Sequence, residues 1–163
     1  EVLIPDFQGD INALETVIQA NPDVLNHNVE TVPSLYSVAR KGSLYDRSLT
    51  VLKNSKKINS NILTKSGLMV GLGETKEELL ETFKQIRSSN VDILTLGQYL
   101  KPSKDNLDVS KYYTPDEFEQ LKLQAEKIGF PFVFSGPHVR SSYLADHVFD
   151  NTILGNKHEF TNN

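Results

Sequence analysis

A chain of 163 residues with 38% hydrophobic and 23% charged residues has the composition of a soluble globular protein and is long enough to build one core. Its net charge of −4 and pI near 5.6 argue against a nucleic-acid binder, and no apolar run reaches the length of a membrane span. With no cysteine, the chain alone can make neither a disulfide nor a thiolate metal site, and its four histidines lack the short spacing of a zinc motif.

The predicted elements alternate between strand and helix. Val2, Leu3 and Ile4 read as a strand at the very start of the chain, as expected of a piece whose earlier part lies upstream, although the opening residues carry no signal-peptide pattern. Asp10 then suits an N-cap, with Ile11, Leu14, Val17 and Ile18 on one helical face. Val24 and Leu25 open a second strand that runs into Asn26-His27-Asn28-Val29-Glu30. A mostly helical stretch follows, interrupted at Gly42 and strongest over residues 46–58. It ends in the basic cluster Lys53-Asn54-Ser55-Lys56-Lys57, a solvated face that complements the helix dipole.

Ile62 and Leu63, with residues 67–72, predict a third strand, apolar on both faces as in a covered parallel sheet. Thr75-Lys76-Glu77-Glu78 is a capping box before the stripe Leu79, Leu80, Phe83 and Ile86. Ile93-Leu94-Thr95-Leu96 is a fourth strand ending in Gly97-Gln98-Tyr99, and residues 101–113 read as a loop. Thr114 caps a helix with Pro115 at its first position and Phe118, Leu121, Ala125 and Ile128 on its buried face. Phe132-Val133-Phe134 is the fifth strand. Residues 1–149 thus form one α/β unit of (βα)4β pattern, and the tail from about 150 to 163 is expected to be frayed.

Polar residues gather where the strands end. Asp6 follows the first, Asn26, Asn28 and Glu30 the second, Glu74 the third, Gln98 the fourth, and Ser135 and Arg140 the fifth. The carboxyl edge of a parallel sheet is where ligands bind, since its loops converge there. Asn28 and Glu30, two apart, would share a side of an extended strand. An amide beside a carboxylate suits a diol such as a ribose, although the same residues also suit a turn. Gly71-Leu72-Gly73-Glu74-Thr75 is not a dinucleotide fingerprint, because Lys76 stands where the last glycine belongs; Gly67 and Gly71 still leave room for a flat ring. The stretch HVRSSYLAD, residues 138–146, reads as a polar surface loop or a further part of that site.

Taken together, Asn26-His27-Asn28-Val29-Glu30-Thr31, Tyr45-Asp46-Arg47-Ser48-Leu49 and Ser66-Gly67-Leu68-Met69-Val70-Gly71-Leu72-Gly73-Glu74-Thr75 resemble the radical S-adenosylmethionine enzymes that insert sulfur. Biotin synthases share versions of all three. Val2-Leu3-Ile4-Pro5-Asp6-Phe7, Thr64-Lys65-Ser66-Gly67, DILTLGQYL at 92–100 and Arg140-Ser141-Ser142-Tyr143 look instead like the lipoyl synthases.

That resemblance implies the later strands of a partial (β/α)6 TIM-like barrel with a C-terminal extension, the cluster-binding CxxxCxxC loop and a second cysteine triad lying upstream. It implies S-adenosylmethionine and two 4Fe–4S clusters in the full-length protein. Asn28 and Glu30 would hold the ribose and Arg47 the carboxylate of S-adenosylmethionine. Gly67, Met69, Gly71 and Glu74 would match the G-x-I-x-G-x-x-E element near the adenine, with Met for Ile. Asn26 and Lys65 would face the cofactor or the substrate. Ser142 would be an oxygen ligand to the auxiliary cluster, with Arg140 beside it.

The implied reaction inserts sulfur at C6 and C8 of an octanoyl chain on a lysine of a lipoyl-carrier domain, such as a 2-oxoacid dehydrogenase E2 subunit or the glycine-cleavage H protein, with an external electron donor. Members of the family work in the bacterial cytoplasm, in mitochondria and in plastids. The alternatives are a biotin synthase-like enzyme and a non-catalytic α/β binding module.

Overall fold

A computed structural model describes residues 1–142. Five strands, β1 (Val2–Leu3), β2 (Val24–Asn26), β3 (Leu63–Val70), β4 (Ile93–Gln98) and β5 (Phe132–Gly136), form one sheet in the order β1-β2-β3-β4-β5. Every pair is parallel. The connections carry α1 (Ile11–Gln19), a single turn α2 (Tyr36–Ala39), α3 (Tyr45–Ile58), α4 (Lys76–Ser88) and α5 (Pro115–Ile128). Right-handed crossovers between successive neighbours put every helix on the same face, which gives a sector of a barrel and not a doubly wound sheet.

The packing agrees. Leu25, Leu68, Val70, Leu94, Leu96 and Val133 from the strands share one core with Leu14 of α1, Leu52 of α3, Phe83 of α4 and Phe118 of α5. The alternate strand positions Val24 and Ile93, with Leu63, Phe132 and Phe134, form a separate apolar floor on the other face.

Local chemistry sets the helix starts. The Asp10 carboxylate accepts from the amides of Asn12 (2.9 Å) and Ala13 (3.4 Å). The predicted capping box forms between Thr75 and Glu78, and the predicted Thr114 cap proves to be a second such box with Glu117, with Pro115 in the first turn. The third strand bridges the polar gap between its two predicted apolar runs and stops at Val70, short of Gly71 and Leu72. It runs unbroken through Thr64, Lys65 and Ser66, because Thr64 and Lys65 pair with β2 and Lys65 and Ser66 with β4. The expected tail, residues 150–163, and Tyr143 lie outside the described residues. No helix among the described residues is long and apolar enough to cross a membrane.

Candidate functional site

The sheet register stacks its inner face in layers. Above the apolar floor, Asn26 stands opposite Lys65; next come Gly67 and Thr95; Met69 faces Gly97 at the rim. Along the carboxyl edge a cleft of about 290 Å³ opens. Asn28 and Glu30 form one wall, Gly67, Met69, Thr95 and Gly97 the base, and Gln98, Leu100, Arg140 and Ser141 the rim.

Asn28 and Glu30 reach this cleft by a route the sequence does not reveal. β2 stops at Asn26, and the chain leaves the ladder with the His27 amide on the carbonyl of Lys65 (3.1 Å). It returns at Glu30 as a lone parallel bridge to Leu68, donating to Gly67 O (2.9 Å) and accepting from the Met69 amide (2.8 Å). Glu30 pays for that return with φ of +73°, a left-handed conformation that a non-glycine residue adopts only when its surroundings impose it. His27 is buried, and its Nδ1–H donates to Ile4 O (3.0 Å). Burial holds its pKa below the usual imidazole value.

The base of the cleft is bare because it must be. A Cβ on Gly67 would stand 2.7 Å from Thr95 Oγ1 and 2.9 Å from Asn28 Oδ1. That Asn28 oxygen is buried without a hydrogen-bond partner, as is Asn26 Oδ1. An unpartnered amide oxygen over a glycine floor offers an acceptor to a hydroxyl or amine of a flat ligand. Burial pushes the Glu30 carboxyl above its ordinary pKa, opposed by the Arg40 guanidinium and the Asn28 amide. Glu30 and Asn28 also line a second opening, toward β1, with Pro5, His27 and Arg40. A half-buried acid and a guanidinium across one opening suit the ammonium and carboxylate of an α-amino acid.

Of the residues singled out in the sequence, Asn28, Glu30, Gly67 and Met69 meet in the main cleft, with Arg140 at its rim. Arg47 does not join them. Its Nε bonds Asp6 Oδ2 at 2.5 Å, on the face of α3 turned to α1, and the guanidinium near Glu30 is that of Arg40.

Glu74 is committed to backbone. Its carboxylate accepts from the amides of Gly71 (2.6 Å), Leu72 (2.9 Å) and Gly73 (3.1 Å), and from the Tyr113 hydroxyl (3.2 Å). The open side of Gly71 is filled by the Lys111 carbonyl and the Gln98 side chain, so it is the 101–113 loop that makes the close approach there. Asn26 and Lys65 lie deeper, both bonded to the Glu1 carboxylate, with Lys65 Nζ at 2.9 Å.

Arg140 folds back on the carbonyls of Val139 (2.8 Å) and Pro137 (3.4 Å), while Ser142 is exposed and Ser141 takes the place at the rim. Gln98, a polar strand end in the sequence, anchors the loop through the Lys111 carbonyl (2.9 Å) and the Tyr113 amide (2.9 Å). Arg40 and Thr95 escaped the sequence reading; a Tyr36–Arg40 pair four apart, just before Gly42, was the available signal for the former.

Comparison with known proteins fits this geometry. The family model described as the radical SAM superfamily matches residues 1–86. A lipoyl synthase of Koribacter versatilis is 54% identical over 152 residues, 93% of this chain and 50% of that protein. One of Caldicellulosiruptor saccharolyticus is 58% identical over 146 residues, 90% of this chain and 51% of that protein. The chain therefore spans about half the length of the curated relatives it matches. Among solved structures, methylornithine synthase superposes with a TM-score of 0.58 at 16% identity, covering 88% of this chain and 50% of that one, a likeness of fold. With one sequential parallel sheet, a cleft on its carboxyl edge and a family model matching residues 1–86 of 163, the chain belongs to the radical SAM superfamily.

Proposed function

We propose that this chain forms the S-adenosylmethionine-binding side of a lipoyl synthase, which inserts two sulfur atoms at C6 and C8 of an octanoyl group on a lysine of a lipoyl-carrier protein. The observation that carries it is the 54–58% identity to lipoyl synthases over nine-tenths of the chain, spanning the residues that build the cleft. The residues fit the cofactor: Asn28 Oδ1 lacks a partner and Gly67 is a floor that a Cβ would fill. Asn28 takes a ribose hydroxyl, Glu30 a hydroxyl or the ammonium, and Arg40, in place of Arg47, the carboxylate. Gly67 and Met69 bear on the flat rings.

When bound, S-adenosylmethionine supplies a one-electron route to breaking an unactivated C–H bond; the chain orients it and keeps water away. Met69, Leu100 and Val139 give the same cleft an apolar side for an acyl chain. The residues do not fit an iron–sulfur cluster. There is no cysteine, and no group of three His, Cys, Asp or Glu side chains converges among the described residues. Ser142 offers one hydroxyl, and a cluster role for it, with Arg140 alongside, requires thiolates from outside this chain.

The partners under this proposal are octanoylated E2 and H-protein domains and an electron donor. The test supplies the full-length protein with S-adenosylmethionine, a reductant and an octanoylated carrier domain, and records the carrier's mass. A gain of two sulfurs supports the proposal; S-adenosylmethionine cleavage with no sulfur gained refutes it.

A further inference from the structure

Arg40 is held from one edge only. α2 ends at Arg40, whose amide bonds the Tyr36 carbonyl (2.9 Å). Its Nη1 lies within hydrogen-bonding distance of three oxygens: Asn28 O (2.9 Å), Tyr36 Oη (2.9 Å) and Ser48 Oγ (3.1 Å). Nη1 carries two hydrogens, so one goes to the carbonyl and the other is shared between the hydroxyls.

The hydroxyl protons must then run the other way. Tyr36 O–H donates to Val29 O at 2.7 Å, which leaves Ser48 as the donor across the 3.1 Å Tyr36–Ser48 contact. This arrangement admits one orientation of the guanidinium. Tyr36 and Ser48 are buried, and Tyr36 is wedged edge-on against Tyr45 with ring centroids 5.2 Å apart.

The opposite edge, Nε–H and both Nη2 hydrogens, has no hydrogen-bond partner among the described residues. Arg40 lines the same opening as Glu30, yet the two do not close into a salt bridge. A fixed guanidinium with a vacant two-donor edge, set near an acid it does not touch, is shaped for a carboxylate placed between them.

We infer that Tyr36 and Ser48 are positioning residues: they lock Arg40 so that its free edge receives the carboxylate of an α-amino acid group whose ammonium meets Glu30. The inference rests on the proposal that this cleft takes S-adenosylmethionine.

The test measures equilibrium binding of two probes to the full-length protein. S-adenosylmethionine has the amino-acid group; 5′-methylthioadenosine lacks it. Tyr36→Phe and Ser48→Ala are expected to weaken S-adenosylmethionine roughly tenfold and roughly threefold, the scale of one lost or loosened hydrogen bond to a charged group. Methylthioadenosine binding should not change, which also shows that the variants are folded. In an Arg40→Met background, Tyr36→Phe should add nothing. If Ser48→Ala weakens both probes equally, or if Tyr36→Phe and Arg40→Met are additive, Tyr36 and Ser48 are merely structural and the inference falls. Wild-type protein that binds neither probe overturns the cofactor proposal itself, a different failure.

Discussion

Replacing Glu74 by alanine separates two roles for one carboxylate. The sequence pattern puts Glu74 near a bound adenine, whereas its oxygens take the amides of Gly71, Leu72 and Gly73 and the Tyr113 hydroxyl. The variant leaves these donors without their acceptor. The bonds from Gly71 and Leu72 are partly buried, whereas that from Gly73 is exposed and can be replaced by water. The Gly71 and Leu72 bonds and the part-buried one from the Tyr113 hydroxyl, at roughly 1 kcal/mol each after solvent compensation, give a loss of about 3 kcal/mol. For a domain of this size that corresponds to a fall of roughly 5–10 °C in melting temperature.

Tyr113 also packs at a tilt against Phe118, with ring centroids 6.0 Å apart, so the loosening should spread into the 101–113 loop and stop there. Thermal unfolding gives the total, and amide hydrogen exchange at residues 71–73 gives the location. Protection there should collapse, while affinity for S-adenosylmethionine changes less than about threefold, under 1 kcal/mol. Unchanged melting and protection with a large loss of affinity would refute the clamp and restore Glu74 as a ligand contact.

Arg47→Met should cost about 1 kcal/mol or less by loosening a partly exposed ion pair with Asp6 and leave cofactor affinity within about twofold; binding isotherms decide it. Glu30→Gln probes linkage. The raised folded-state pKa means the native protein binds this proton more tightly than the unfolded chain, so wild-type stability declines as pH rises from the unfolded value near 4.5 through the folded one. The variant lacks that decline. Urea unfolding should show it gaining on wild type at neutrality but not below pH 4.5, while S-adenosylmethionine binding is lost; a constant difference at all pH contradicts this. Gly67→Ala forces a methyl against Thr95 and Asn28, with an expected cost of about 1–3 kcal/mol in urea unfolding that Thr95→Ala partly restores.

What the sequence revealed follows interaction range. The Thr75 capping box, the Thr114 cap and the apolar stripes behind them depend on contacts within a few residues, and all were readable. Asn28, Glu30 and Gly67 were readable because strand ends in a parallel sheet must gather at one edge, whereas Met69 came only from the family resemblance. The resemblance put Arg47 at the site, and helical phase places it elsewhere. Successive helix residues lie about 100° apart, so Ser48 turns to the site while Arg47 beside it turns to α1. Glu74 was hidden for the opposite reason: three consecutive amides curl onto a carboxylate next in sequence, a capture no side-chain pattern reports. Arg40 depends on hydroxyls from Tyr36 and Ser48, which only folding brings together.

The strand order has a kinetic meaning. Among the described residues, each strand pairs only with the strands before and after it in the chain, so no pairing waits for a distant segment to arrive. The cost of closing each loop is that of a single crossover segment, and the register can be set unit by unit as the chain emerges during synthesis. The lone bridge at Glu30 is closed by the same crossover as β2 and β3 and needs β3 in place before it can form. The binding wall therefore takes shape after the β2–β3 scaffold that imposes its strained conformation and before β4 completes the base of the cleft.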